Sequence, residues 1–277
     1  MQLNVCTAET AAWRGEPLRA ESAGARKNQI LLSGPVASPY IQLFMLPEAF
    51  LPSLATGPLA VGTVLAHNGN PVLAVVSRHY LPLDGETHSV PCLRLRALED
   101  LPEGSLKLVP QRSGPALAWV TVSDKGTVGL RKDESGPEIA RIMSEAMPLR
   151  CHNGYIVPDD IYRMRSLVAD LAMTQGYDFI ITSGGTGLTT RDITPEALAP
   201  LVEKRLSGLE QAMLQCSLAV TPRGALSRPL CGSIGKSLLV TLPGSSKAVR
   251  ENLGAILGAL GHGLEKLQDS PVDCGSF

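Results

Sequence analysis

Residues 179–187 read FIITSGGTG, a short apolar run that passes directly into a glycine-rich segment. The apolar part predicts a short buried strand. Glycine lets backbone N–H groups approach an anion or a flat ring closely. Three glycines in four residues exceed what a simple turn needs, although an ordinary strand-to-helix turn remains an alternative from this string alone. The stretch favours a ligand-binding loop at the carboxyl end of a strand.

Strand and helix patterns alternate around this loop. Residues 116–122 and 237–242 are apolar runs of strand length, and 194–196 (Thr-Pro-Glu) predicts a helix start with Thr194 as N-cap. Three further segments carry apolar residues at helical spacing: Ile139, Ile142, Met143, Met147; Ile161, Met164, Val168, Leu171; and Val249, Leu253, Ile256, Leu257, Leu260, Leu264, Leu267. The alternation predicts a three-layer αβα fold with a mainly parallel sheet, in which ligands bind at the carboxyl ends of strands.

The first part of the chain has a different texture. Eleven of the 21 prolines precede residue 114, which favours short strands and turns. We predict a smaller β-rich domain of unknown function over 1–113, a barrel or sandwich whose residues 1–28 form a loose tail. A linker at 111–115 leads into a second domain over 114–277. His67, His79, His88 and Cys92 raise the question of a metal site, but no tetrahedral ligand set is completed at recognisable spacing.

The composition excludes several classes of protein. A net charge of −1 and 4% aromatic residues disfavour a nucleic-acid-binding surface. No segment reaches the roughly 18 apolar residues that a membrane span requires, and the N-terminus lacks the pattern of an export signal. The six cysteines contain no C-x-x-C pair. We therefore predict a soluble cytoplasmic protein with free thiols, and no nucleic-acid or membrane partner.

Acidic residues flank the glycine-rich segment in sequence. Asp192 lies five residues after Gly187, where a carboxylate could hold Mg²⁺ against a phosphate, or could only form a turn with its own backbone. Asp159 and Asp160 could act similarly or cap a helix. Arg191, Arg228 and Lys247 could neutralise phosphate charge. Ser245 and Ser246 could cap the last helix or form a second anion site at its N-terminus.

Taken together, these strings resemble the molybdopterin adenylyltransferase family that includes MogA, MoaB and the gephyrin G domain. The resemblance covers about residues 116–267. Its pieces, in order, are Thr121–Asp124, Val157–Asp160, Thr182–Gly187, Arg191–Ala197, Leu226–Arg228 and Leu242–Lys247. Each piece alone is moderately specific, and six in this order form a strong signal.

The resemblance implies the molybdopterin-binding fold and Mg²⁺-dependent transfer of AMP from ATP to molybdopterin, with release of pyrophosphate. It implies catalytic roles for Asp159 and Asp192, at least one of them a Mg²⁺ ligand. The substrate-binding residues that it implies are Ser123, Gly184, Gly185, Thr186, Gly187, Ser217, Ser227, Arg228, Gly244 and Lys247. A homotrimer and a molybdate-inserting partner of the MoeA type are also expected.

Two other functions stay open. The protein could be a molybdopterin carrier or scaffold without nucleotidyl transfer, or a nucleotide hydrolase of the CinA kind. CinA and MoeA relatives usually carry a glycine and an acid after the first strand, whereas this chain has Ser123 and Asp124 there. This difference favours the adenylyltransferase branch.

Overall fold

The computed structural model describes residues 2–5, 30–33, 59–82, 89–99, 104–107 and 109–268. The chain divides into two compact units, residues 1–113 and 114–277. The division falls within the segment 111–115, whose glycine and proline residues predict a linker.

The described part of the first unit consists of antiparallel strands. They are β1 (Gln2–Val5), β2 (Ile30–Ser33), β3 (Val64–His67), β4 (Asn70–Pro82), β5 (Ser89–Ala97), β6 (Gly104–Lys107) and β7 (Val109–Gln111). Five of them form a sheet of order β2-β5-β4-β3-β7, which agrees with the β-rich prediction. Strands β1 and β6 pair separately. The loose-tail prediction therefore does not hold for Gln2–Val5, and residues 6–28 of that tail lie outside the described residues.

The second unit contains a six-stranded, mostly parallel sheet, as predicted. Its strands are β8 (Ala116–Val122), β9 (Cys151–Val157), β10 (Phe179–Ser183), β11 (Lys204–Arg205), β12 (Cys231–Ile234) and β13 (Ser237–Leu242), in the order β11-β12-β13-β10-β8-β9. Strands β9, β8, β10 and β13 are parallel. The antiparallel hairpin β12–β13 departs from this pattern because a two-residue turn with Gly235 at φ 55° reverses the chain.

Helices cover both faces of this sheet. They are α1 (Asp124–Thr127), α2 (Ser135–Ala146), α3 (Ile161–Ala169), α4 (Thr194–Leu198), α5 (Ser207–Val220) and α6 (Ser246–Leu267). A π-helical segment, Asp170–Gln175, continues α3, and 3-10 helices occupy Ala199–Leu201 and Pro222–Leu226. The three predicted amphipathic helices correspond to α2, α3 and α6. The capping alternative is confirmed for Ser245, whose hydroxyl caps α6 by accepting from the Ala248 N–H.

The main core lies between one sheet face and α2, α5 and α6. Phe179 and Ile181 of β10 pack there with Ile139 of α2, Met213 of α5 and Leu253 of α6, all fully buried. Helices α3 and α4 bury a further set of apolar residues outside this cluster: Met164, Val168, Ala197 and Leu198. All five residues of β10 are buried, which explains why this strand is a continuous apolar run in sequence.

A buried ion pair fixes the amino-terminal ends of the central strands. Asp178 precedes β10, and one of its carboxylate oxygens accepts from the Ala116 N–H at 2.7 Å and from Arg150 at 2.5 Å. Gln268, directly after α6, donates to the other oxygen at 2.6 Å. A buried ion pair is costly unless further hydrogen bonds satisfy the remaining lone pairs of the carboxylate and the remaining protons of the guanidinium. Three separate elements meet at this carboxylate, at the end of the sheet away from the glycine loop.

A surface ion-pair cluster joins α2 to α6 and predicts a pH effect on stability. Arg141 and, through a smaller effect, Arg250 of α6 hold the pKa of Glu138 at about 2, although desolvation opposes them. A folded-state pKa below the unfolded one stabilises the native state above the unfolded value, and this contribution is lost as the pH falls toward 2. We expect Glu138→Gln to lower the unfolding temperature slightly near neutral pH but not at strongly acidic pH.

The unfolding temperatures of the wild type and of Glu138→Gln, measured from neutral to strongly acidic pH, test this expectation. Glu145→Gln is the matched control, since Glu145 pairs with Arg141 within α2, whereas Glu138 also pairs with Arg250 of α6. A Glu138→Gln effect that is the same at every pH would contradict the ion-pair explanation.

Candidate active site

The carboxyl ends of three parallel strands bring the site residues together. Ser183 of β10 pairs with Thr121 of β8 on one side and with Leu242 of β13 on the other. The loops that follow these strands therefore lie side by side. The Gly184 N–H donates to the Leu242 carbonyl at 3.0 Å, so the glycine loop continues directly from the sheet. As predicted, the glycine loop follows the carboxyl end of a central strand.

Glycine is required at the first two positions of the loop. Gly184 has φ 100°, and a Cβ there would lie 2.6 Å from the Val122 carbonyl oxygen. Gly185 has φ 65°, and a Cβ there would overlap the hydroxyl of Thr194. Positive φ is unfavourable for residues with a side chain. The backbone of this loop thus passes too close to its neighbours for any other residue type.

Thr194 closes the loop from its far end. Its hydroxyl donates to the Gly184 carbonyl at 2.9 Å, and its N–H donates to the Gly185 carbonyl at 3.0 Å. The prediction that Thr194 caps α4 is wrong: the N-cap position is Ile193, without a side-chain cap. The physical reason is that the threonine hydroxyl makes a nonlocal hydrogen bond, which local sequence rules do not register.

Arg228 supports the same loop from the outside. Its Nε donates to the Gly187 carbonyl at 2.9 Å, one Nη donates to the Asp192 carbonyl at 2.5 Å, and the other forms an ion pair with Glu196. Its backbone N–H also donates to the carbonyl of Thr186, a buried residue. Arg228 therefore orders the loop, and a phosphate contact from it stays a prediction. The neighbouring Ser227 ends the 3-10 helix, where its N–H donates to the Gly224 carbonyl.

The carboxylate of Asp192 lies against the loop. Its Oδ2 accepts from the N–H and the hydroxyl of Thr189 at 2.8 and 2.7 Å. A Cβ on Gly187 would lie 2.8 Å from the same oxygen. Burial acts to raise the pKa of Asp192, but the hydrogen bonds from Thr189 and Gly187 hold the pKa below its ordinary value. The turn alternative is therefore confirmed for Asp192, whose Mg²⁺-binding role stays a prediction.

Asp159 lies near two other carboxylates. Burial, and then the negative charges of Asp124 and Asp192, raise the pKa of Asp159 above its ordinary value. The Asp159 N–H donates to Asp124 Oδ1 at 3.1 Å, and Arg191 donates to the other oxygen of Asp124 at 2.5 Å. The neighbouring Asp160 is a helix cap, since it accepts from the Arg163 N–H at 2.8 Å. The capping alternative is therefore confirmed for Asp160.

Sequence reasoning missed Asp124 as a site residue. It lies two residues after the end of β8, and its position after a buried strand was the available signal. The contacts that define its place are far away in sequence, since they involve Asp159 and Arg191. Asp124, Asp159 and Asp192 come from the loops after β8, β9 and β10 and form one acidic group on this edge of the sheet.

A second feature of this edge is a cavity between the end of β8 and the start of α2, called here the β8–α2 cavity. The predicted residues Ser123 and Gly244 line it, together with Arg131, Lys132 and Ser183. Gly244 packs against the glycine loop, since a Cβ there would lie 3.3 Å from the Gly184 Cα. The Ser123 hydroxyl caps α1 by accepting from the Gly126 N–H at 3.0 Å.

Of the substrate-binding residues that the resemblance implies, only Ser123 and Gly244 line this cavity, and Ser217 and Lys247 are among those that do not. Ser217 of α5 donates its hydroxyl to Asn252 of α6 at 3.1 Å, in the contact between these helices. Lys247 is 71% exposed and lies 3.8 Å from Glu251, one turn further along α6. Their roles in substrate binding stay predictions.

The described histidines of the first unit form no metal site. His67 Nε2 accepts from the side-chain amide nitrogen of Asn68, and His79 is hydrogen-bonded to Ser77. His88 and the side chain of Cys92 lie outside the described residues. Across the described ranges, no three His, Cys, Asp or Glu side chains are grouped as metal ligands, and no helix is long and apolar enough to cross a membrane. Cys151, Cys216 and Cys231 are free thiols.

These features define an α/β protein with a glycine loop and acidic residues at the carboxyl edge of a mostly parallel sheet. Residues 118–262 match the family described as "Probable molybdopterin binding domain". The match covers more than half of the chain, and the chain belongs to this family.

Similar proteins agree with this assignment. Gephyrin from Dictyostelium discoideum is 41% identical over 161 residues, which cover 55% of this chain and 22% of that protein. A molybdopterin adenylyltransferase from Helicobacter pylori is 36% identical over 145 residues, which cover 51% of this chain and 81% of that protein.

Solved structures show the same fold. The molybdopterin biosynthesis enzyme MoaB from Thermus thermophilus has 35% identity and a TM-score of 0.52, covering 57% of this chain and 99% of its own. The tungsten cofactor synthesizing protein MoaB from Pyrococcus furiosus has 36% identity and a TM-score of 0.50. The similarity covers 57% of this chain and 100% of that protein's chain. Residues 1–113 lie outside the family match, so the family describes the second unit only.

Proposed function

We propose that this protein transfers AMP from ATP to the terminal phosphate of molybdopterin, as a step of molybdenum cofactor biosynthesis. The observation that carries the proposal is that the glycine loop contacts both Asp192, at Gly187, and Gly244, which lines the β8–α2 cavity. The similarity to proteins named molybdopterin adenylyltransferase supports it. The chain spans only 22% of the related gephyrin, so the other activities of that larger protein are not inferred.

The loop has hydrogen-bond donors available for a phosphate. Within residues 109–268, the N–H groups of Gly185 and Thr186 have no hydrogen-bond partner, whereas that of Gly184 is used by the sheet. The positive φ angles of Gly184 and Gly185 turn the backbone at this point. Consecutive N–H groups in such a turn form an anion-binding concavity. The loop is therefore suited to hold a phosphate group through its backbone.

The proposed reaction needs positioning more than proton transfer. An oxygen of the molybdopterin phosphate attacks the α-phosphorus of ATP, and the bond from that phosphorus to the bridging oxygen of the β-phosphate breaks. Pyrophosphate takes the bonding electrons and leaves. The attacking oxygen is already anionic near neutral pH, so a general base contributes little. Catalysis then depends on alignment of the two phosphates and on neutralisation of their charge.

Since no three acidic or other ligating side chains of the described residues are grouped as metal ligands, we propose that two carboxylates and the substrate phosphates together bind a divalent cation. Burial, and then the charges of Asp124 and Asp192, raise the pKa of the Asp159 carboxylate, while a hydrogen bond from the Asp124 backbone favours its ionised form. Oxygen ligands suit Mg²⁺, which usually binds one or two carboxylates together with substrate phosphates. Asp159 and Asp192 would hold the ion. When bound, Mg²⁺ would supply positive charge to the phosphate oxygens.

An assay with purified protein tests the proposed function. We expect protein, ATP labelled in the α-phosphate, Mg²⁺ and molybdopterin to yield labelled adenylyl-molybdopterin and an equal amount of pyrophosphate. Omission of molybdopterin is the control and should yield neither product. Binding of molybdopterin without product would identify a carrier or scaffold, and ATP hydrolysis without molybdopterin would identify a hydrolase. Either result would refute the transferase.

The homotrimer, the molybdate-inserting partner and the cytoplasmic location stay predictions. Of these, only the oligomeric state bears on the geometry of the site, and light scattering of the purified protein measures it directly.

A further inference from the structure

The β8–α2 cavity contains cationic residues that the proposed function has not used. Arg131 and Lys132 line it, both are exposed, and neither has a hydrogen-bond or ion-pair partner in the described part of the chain. Other arginines of the second unit, such as Arg141, Arg150 and Arg205, are paired with carboxylates. Two adjacent unpaired cations at a cavity are thus available for an anionic ligand.

Asp133 holds the segment that carries these cations. Its Oδ2 accepts from the Thr121 hydroxyl at 2.9 Å, and its Oδ1 accepts from the Ser135 hydroxyl and the Gly136 N–H at 3.2 and 2.9 Å. A Cβ on Gly136 would overlap both Asp133 and the indole of Trp119. The Asp133 carboxylate therefore forms part of the cavity wall. Its hydrogen bond from Thr121 connects the segment before α2 to the end of β8.

Hydroxyl groups connect the cavity to the glycine loop. Ser135, at the start of α2, shares a 2.8 Å hydrogen bond with Ser183, the residue directly before Gly184. Both serines are buried and line the cavity, as does Ser246 in the first turn of α6. Helix α2 has 12 residues and α6 has 22, so both starts present positive partial charge to an anion. A ligand in the cavity would lie beside the backbone donors of the loop.

Two acids oppose the two cations. Glu134 also lines the cavity and is exposed, without an ion-pair partner within the described residues. Asp133 lines the cavity as well and keeps its negative charge, since its three donors are neutral, but these donors hold its carboxylate in the wall. The four charges of the lining sum to zero, so anion binding depends on direct contact with Arg131 and Lys132 and not on an excess of positive charge.

We infer that the β8–α2 cavity is a phosphate subsite in which Arg131 and Lys132 bind oxyanions of a substrate. The inference deepens the proposed function and rests on it for the identity of the substrates. The phosphate could belong to the polyphosphate of ATP or to the monophosphate of molybdopterin. Both present the same chemistry to the cavity, since phosphate oxygens accept hydrogen bonds from arginine and lysine.

Direct binding of pyrophosphate and of inorganic phosphate, measured by isothermal titration calorimetry, tests the inference without requiring catalysis. We expect Arg131→Gln or Lys132→Gln to weaken binding roughly five-fold, and the double variant about 25-fold, since both cations are exposed. Glu134→Gln should strengthen binding. Added salt should weaken binding to the wild type more than to the double variant, because screening reduces the contribution of these charges.

The matched control removes one arginine and one lysine that do not line the cavity. Arg163 and Lys204 are exposed and unpaired among the described side chains, so the double variant Arg163→Gln, Lys204→Gln has the same net charge as the test variant. Its phosphate affinity should equal that of the wild type. An equal loss in both double variants would show a general charge effect and overturn the subsite.

Steady-state kinetics separates the two sources of phosphate. A raised KM for ATP in the Arg131→Gln, Lys132→Gln variant assigns the cavity to the polyphosphate, and a raised KM for molybdopterin assigns it to the pterin phosphate. Unchanged KM values for both substrates, in an enzyme that transfers AMP, would overturn the subsite and leave the proposed function intact. Pyrophosphate or phosphate binding that depends on these cations, in a protein that transfers no AMP, would support the subsite and refute the transferase.

Discussion

Replacement of Asp192 by asparagine is expected to lower kcat for AMP transfer by about three orders of magnitude. Under the proposed function, Asp192 is one of two acids that hold Mg²⁺, and loss of one ligand removes several kcal/mol of transition-state stabilisation. The amide oxygen of asparagine can still accept hydrogen bonds from Thr189, which now bind Asp192 at 2.8 and 2.7 Å. The loop should therefore keep its shape, and molybdopterin binding should be largely intact.

The control for this variant is Asp160→Asn. It removes the same charge in the loop after β9, beside Asp159, but Asp160 caps α3 and its carboxylate accepts from Arg163. Asparagine caps helices about as well as aspartate, so fold and activity should be unchanged. Product formation, Mg²⁺ dependence and molybdopterin affinity are measured for both variants. Turnover close to the wild type in Asp192→Asn would refute its role, as would an equal loss in Asp160→Asn.

Gly185→Ala is expected to lower kcat/KM about 100-fold, through displacement of the glycine loop. The new methyl group would overlap the Thr194 hydroxyl, which now donates to the Gly184 carbonyl at 2.9 Å. Either the loop or the start of α4 must move. A shift of about 1 Å in a positioning group can cost two orders of magnitude in rate. The donors of Gly185 and Thr186 and the nearby Asp192 would all be displaced.

Gly235→Ala is the matched control, because it separates backbone strain from the steric contact. Gly235 has φ 55°, close to the 65° of Gly185, but a Cβ there would meet nothing within 4 Å. Both variants share a backbone cost of about 1 to 2 kcal/mol, and the activity of Gly235→Ala should be unaffected. Thermal unfolding measures the backbone cost that the two variants share. Enzyme kinetics measures the difference in activity between them. Similar activity in the two variants would show that the packing around Gly185 does not control the site.

The acidic group illustrates the limit of local sequence reasoning. The sequence places Asp192 near a glycine loop and Asp159 near a helix start, and their pairing was implied by the family resemblance. Asp124 enters the site because parallel strands β8, β9 and β10 end at one edge, and strand order is a nonlocal property. Arg191, which donates to Asp124 across 67 positions of sequence, could be placed only by the fold.

Arg228 shows a similar change of interpretation. As an isolated arginine in sequence, it was a candidate phosphate contact. In the structure, its guanidinium donates to the Gly187 and Asp192 carbonyls and pairs with Glu196. It therefore acts on the loop that binds the substrate in the proposed function. Arg131 and Lys132 were overlooked because a pair of basic residues in a polar segment is usually only a solvated surface.

The sequence by itself determined the elements of the second unit and the existence of its glycine loop. Strands β8, β10 and β13 and helix α6 are predicted because each buries its own apolar residues, and burial imposes a periodicity that local sequence displays. The three glycines mark the loop in the sequence, and the structure shows that Gly184 and Gly185 have positive φ angles, which glycine tolerates at low cost.

Only the tertiary structure decided which side chains meet. The bond from Thr194 to the Gly184 carbonyl and the Asp133 contacts that form the β8–α2 cavity join residues on different elements. Their geometry depends on strand order and helix packing, which no short window of sequence contains. The local pattern therefore predicts the loop, and the packing of the loops around it forms the site.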